Sequence, residues 1–148
     1  MLSLALCLYV FTSCSDDDDT IENGIYVSSG KYAFVGRTYE YIWTLQNTTT
    51  QYSFVISFPS DSTYTFEPFN YDTGESKRTK VEESYYVDED GVINFYGLSE
   101  YKTNIKGYRI TLYKAYFSDD DITTMHVYRR LLFSSGNSRS DWVDFELQ

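Results

Sequence analysis

Few side chains in this sequence could carry chemistry. His126, the sole histidine among 148 residues, lies between Met125 and Val127. A histidine can act as a general base or an axial haem ligand. No cysteine, second histidine or distinctive carboxylate stands at a recognisable spacing from it, so it is read as structural. The acidic runs Asp88-Glu89-Asp90 and Asp119-Asp120-Asp121 offer oxygens of the type that bind calcium. Neither has the spaced aspartates and closing bidentate glutamate of a dedicated loop, and solvated turns are expected. Lys77-Arg78-Thr79-Lys80 is the one place on this acidic chain where an anion could be held, and it would also balance Glu75, Glu82 and Glu83. Carboxylates are too numerous for spacing to single out an acid and a nucleophile. No nucleophile elbow, phosphate loop or dinucleotide fingerprint occurs. The chain is therefore read as non-enzymatic, without cofactor or metal.

The two cysteines have a different meaning. Met1 to Phe11 reads MLSLALCLYVF, an apolar run of signal-peptide length and too short to span a bilayer as a helix. It ends in Phe11-Thr12-Ser13-Cys14, which resembles the lipobox of bacterial lipoproteins, where small residues precede a cysteine that becomes the lipidated N-terminus. Ser15-Asp16-Asp17-Asp18-Asp19 resembles the acidic stretch behind the lipidated cysteine of surface-exported lipoproteins of the Bacteroidota. A run of like charges also suits a solvated, extended tether. The resemblance implies a signal peptide over 1–13, a lipidated Cys14 with its tether over 14–23, and one domain over 24–148 held at the outer membrane, facing outward. With Cys7 in the leader and Cys14 carrying lipid, the mature domain has no thiol for a disulfide, a metal site or a nucleophile.

Such a domain must rest on its core. The composition is globular, with 42% hydrophobic and 23% charged residues, and its 16 tyrosines and 10 phenylalanines favour strands. The net charge of -10 falls wholly after Ser15 and repels nucleic-acid phosphates and anionic membrane surfaces, which excludes a nucleic-acid role.

The elements follow from two-residue periodicity. Tyr39, Tyr41, Trp43 and Leu45 alternate with Thr38, Glu40, Thr44 and Gln46; Tyr52, Phe54, Ile56 and Phe58 alternate with Gln51, Ser53 and Ser57. Asn47 to Thr50 between them has hairpin length, so these strands should pair antiparallel. Tyr64 and Phe66 mark a third strand, ended by turn chemistry at Pro68, Asn70, Asp72 and Gly74. Val81 to Val87 turns through Asp88-Glu89-Asp90-Gly91 into Val92 to Tyr96. Tyr108-Ile110-Leu112, Met125-Val127-Leu131 and Val143-Phe145-Leu147 mark later strands, and Ile25 to Phe34 is a further candidate. No window of ten or more residues has helical apolar spacing with caps.

About eight or nine strands joined by short turns hide their edges by closing into an up-and-down barrel; a two-sheet sandwich is the alternative. The stretch from Tyr64 through Asp88-Glu89-Asp90-Gly91-Val92-Ile93 to Tyr108-Arg109-Ile110 and Met125 is similar to the lipocalin-like domains of Bacteroidota lipoproteins, which implies that fold and no activity. Two roles then stand open. Tyr39, Tyr41, Trp43, Tyr52 and Phe54 could line a mouth for a small apolar or glycan ligand. Alternatively they fill the barrel, and the chain meets a surface protein partner through its outside; an internal cavity would favour the first role and an exposed aromatic patch the second. Asp61-Ser62-Thr63 resembles the three-residue O-glycosylation site of exported Bacteroidota proteins, which places a glycan on Ser62.

Overall fold

The computed structural model describes residues 30–76, 81–96, 101–102, 108–118 and 122–148. Cys14 with its leader and tether, the Lys77-Arg78-Thr79-Lys80 cluster and Asp119-Asp120-Asp121 lie outside the described residues.

The described residues are all-β. In chain order the strands are β1 (Thr38–Thr44), β2 (Gln51–Ser57), β3 (Thr63–Asn70), β4 (Val81–Val87), β5 (Ile93–Phe95), β6 (Tyr101–Lys102), β7 (Tyr108–Phe117), β8 (Thr124–Phe133) and β9 (Ser138–Leu147). Each pairs antiparallel with the next, except that β5 and β6 lie in line along one flank of β7. Pairing of β1 with β9 and of β5 with β7 closes the sheet on itself. Nine strands thus occupy eight positions around a small barrel, as expected of a lipocalin-like domain, and the sandwich alternative falls.

Alternation decides what enters the barrel. Tyr39 lies opposite Ile56, Tyr41 opposite Phe54 and Trp43 opposite Tyr52, and all six point inward. The predicted turn after β4 is held by Asp88, whose Oδ1 accepts the amides of Asp90 at 3.0 Å and Val92 at 2.9 Å. Gly91 takes a positive φ of 80° there, a conformation that costs glycine little.

Two expectations are corrected. The strand expected over Ile25 to Phe34 is, in its described part, a series of turns: Ala33 N–H donates to Gly30 O and Val35 N–H to Tyr32 O. Gly30 and Gly36, with φ of 106° and 82°, are incompatible with a continued strand. The segment instead drops Phe34 into one end of the barrel. The third strand also runs on through Pro68 to Asn70 rather than ending before it. Pro68 there lies opposite Phe54 of β2.

Candidate functional site

The interior is stacked in layers, sealed at one end. At the sealed end Phe34 meets Phe58 edge-on at 4.7 Å and Phe117 at 5.7 Å, while Tyr85 packs on Phe58 at 5.2 Å. Tyr39 is fully buried there and donates its hydroxyl proton to Ile122 O at 3.0 Å. Burial pushes its pKa up to about 12, offset in part by Arg37 nearby. Tyr85 donates to Ser60 O at 2.8 Å, and burial pushes its phenol up as well, assisted by Tyr32 and Asp61.

The middle layer holds the one buried cation among the described residues. Arg129, 3% exposed, enters from β8 and lies 4.8 Å from the Tyr41 ring. Its Nε donates to Asp141 Oδ1 at 3.1 Å, and an Nη2 hydrogen reaches Tyr41 Oη at 3.5 Å. The exposed Arg139 forms an ion pair with the other oxygen of Asp141 at 3.2 Å. One carboxylate therefore faces two guanidiniums, one buried and one exposed.

The far end is the mouth. Trp43, Tyr52, Tyr108 and Phe133 face inward, yet all are only partly buried. Trp43 contacts Tyr108 edge-on across the lumen at 5.0 Å, and Tyr108 contacts Phe133 at 5.3 Å. The five residues read as a ligand wall are thus brought onto one inner face but at different depths. Tyr39 and Phe54 are core, Tyr41 carries Arg129, and Trp43 and Tyr52 stand at the rim. Sequence reasoning missed Arg129 and Asp141. Their signal was parity, since Arg129 continues Met125-Val127 inward and Asp141 precedes Val143-Phe145 by the same step.

A second cluster lies outside, on the wall formed by β7, β8 and β9. His126 there is ordered by Asp144 Oδ1 on Nδ1 at 2.7 Å and by Ser118 Oγ on Nε2 at 2.9 Å. This is the bond order of a nucleophile, base and orienting acid. Acyl transfer further requires preorganised oxyanion donors and exclusion of water. Ser118 is exposed and Asp144 is 58% exposed, so the relay stands in solvent and serves to fix the imidazole.

Elsewhere, Gly36, Arg37, Thr38, Ser57, Thr65 and Glu82 border an open depression of about 200 Å³ outside the sealed end, below the roughly 300 Å³ where ligand pockets begin. Ser62 is exposed on the β2–β3 turn. Among the described residues no group of three or more His, Cys, Asp or Glu could hold a metal ion. A scan of protein-family models and searches of curated proteins and solved structures return no match for this chain.

Proposed function

We propose that this chain is a lipoprotein anchored through Cys14 at the outer membrane, facing outward, and that its barrel is a non-enzymatic binding module for a small apolar or glycan ligand taken at the mouth. The gradient of burial along the inner wall carries this reading. Inward aromatics are wholly buried at one end and left part-exposed at the other, with the buried Arg129 and its Asp141 partner between them. An eight-position barrel is wide enough either to be filled by side chains or to hold one small ligand. Because Trp43 and Tyr108 touch across the lumen, the ligand would rest on the rim rather than enter deeply.

The test uses Trp43 as its own reporter, with Trp142→Phe removing the other tryptophan. Fatty acids, haem, bile acids and oligosaccharides are titrated in turn. The reading expects saturable quenching and a raised melting temperature, worth about 2.7 kcal/mol at a hundredfold excess over Kd. Neither effect with any probe leaves the second reading, a filled barrel that meets a surface protein partner. The cross-lumen contacts favour that alternative. The address is tested separately: Cys14→Ser should leave the detergent phase, since acyl chains make the attachment durable. We propose Ser62 as an O-glycan acceptor, and a native peptide containing Ser62 without added hexose would remove that assignment.

A further inference from the structure

The outer wall of β7 to β9 is built differently from the rest of the barrel surface. A register shift between Leu112 and Lys114 marks a bulge, so Leu112 and Ala115 both stay buried while Tyr113 and Lys114 both turn outward. Bulges re-aim side chains in this manner. Lys114 Nζ consequently lies 5.7 Å from the ring centres of both Tyr128 and Trp142. Trp142, 38% exposed, packs against Tyr128 at 5.1 Å and edge-on against Tyr116 at 5.3 Å. Tyr116 in turn lies 4.8 Å from the His126 ring.

We infer that this wall is a second ligand site, independent of the mouth, for a short neutral oligosaccharide. Three observations select that chemistry. The part-exposed Trp142 indole beside fixed polar groups matches a ligand with an apolar C–H face and a hydroxyl rim. The polar groups are in place: among the described residues Lys114 Nζ makes no hydrogen bond and Asp144 uses only Oδ1, leaving donors and an acceptor for hydroxyls. Charge is the second observation. Lys114 and Asp144 balance, so on a chain of net charge -10 this patch favours neither an anion nor a cation. Size is the third. Three strands about 4.8 Å apart, and five residue steps of about 3.3 Å from Tyr113 to Ser118, give a face of roughly 10 by 17 Å. That is under a quarter of the ~800 Å² per partner of a stable protein interface.

The experiment is affinity electrophoresis of the full chain through native gels containing laminarin, dextran, galactomannan, amylopectin or xyloglucan. Retardation is expected in at least one gel, weakened about tenfold or more by Trp142→Ala and by Asp144→Ala, and unchanged by Tyr86→Ala, an exposed ring on β4 outside both sites. Circular dichroism checks that each variant is folded; should Trp142→Ala unfold, Lys114→Ala takes its place. Mobility unchanged in all five gels overturns the inference, as does retardation that survives the wall variants, which would place the polysaccharide elsewhere, or that is lost equally with Tyr86→Ala. A concentration-dependent dimer abolished by Trp142→Ala would also overturn it, by making the wall a self-association face.

Discussion

The two ends of this barrel are built from the same residue types and buried to different degrees. At the sealed end Phe34, Tyr39, Phe58, Tyr85 and Phe117 interlock with their polar atoms satisfied by main-chain carbonyls. At the mouth Trp43, Tyr52, Tyr108 and Phe133 make similar ring contacts but keep part of their surface in water. The difference comes from what covers them. The Gly30–Gly36 turns fold back across the sealed end, where Gly36 N–H donates to Phe58 O at 2.8 Å. Inward-facing aromatics of one parity therefore end up buried to different degrees, according to what folds over them.

The largest effect expected from this contrast is on stability. Phe58→Ala should cost about 3 to 5 kcal/mol, as large aromatic truncations in packed cores do, whereas Tyr52→Ala at the rim should cost about 1 kcal/mol. Urea midpoints at constant m-value read both directly. Equal losses would mean that the mouth is as closely packed as the plug, and the binding reading would lose its basis.

Next comes the layer between the ends. Asp141→Ala removes the only carboxylate paired with Arg129 among the described residues, and leaving a buried charge uncompensated should cost about 3 kcal/mol. The double variant Arg129→Met with Asp141→Ala should recover much of that loss, because a well-filled apolar replacement removes the stranded charge. If Asp141→Ala alone is neutral, water reaches Arg129 and the mouth extends deeper than its ring contacts imply.

The sealed end also predicts an alkaline limit. Unfolded tyrosine ionises near pH 10, but Tyr39 in place holds its proton to about pH 12. A raised folded pKa means that its contribution is fully present below pH 10 and is lost as the pH rises to about 12, at about 1.4 kcal/mol per unit. Tyr85, shifted the same way, adds to the slope. Midpoints measured from pH 9 to 12 should fall accordingly, and Tyr39→Phe should flatten the decline. A curve unchanged by that substitution would detach the alkaline transition from the plug.

Much of this architecture was legible beforehand because it is local. The alternation from Tyr39 to Phe58 fixes two strands, their register and their inner face, and Asp88 to Gly91 carries its turn in its own side chains. The graded depth of that face was not legible: Tyr39 and Trp43 have the same parity, and only the returning Gly30–Gly36 turns separate plug from rim. Nor could periodicity show that Phe34 leaves the strand pattern to fill the barrel. The outer cluster failed for a related reason. Lys114, Tyr128 and Trp142 are joined by the long hairpins of β7 to β9, as are Tyr116, His126 and Asp144. The bulge that sets their phase was visible only as a change from even to odd apolar positions between Leu112 and Ala115.

The smallest predicted effect sharpens the contrast between inside and outside. Trp142 is directed away from the core and loses little packing when shortened to an aromatic ring, so Trp142→Phe should change stability by no more than about 0.5 kcal/mol. The same variant leaves Trp43 as the only tryptophan. Iodide should then quench the remaining fluorescence less per ion than it quenches a Trp43→Phe protein, whose signal comes from the outer wall. The comparison needs no ligand and depends on access alone, with the positive Lys114 beside Trp142 drawing iodide further toward it. Equal quenching in the two variants would put Trp43 in open solvent, and the rim would then be a surface rather than the edge of a lumen.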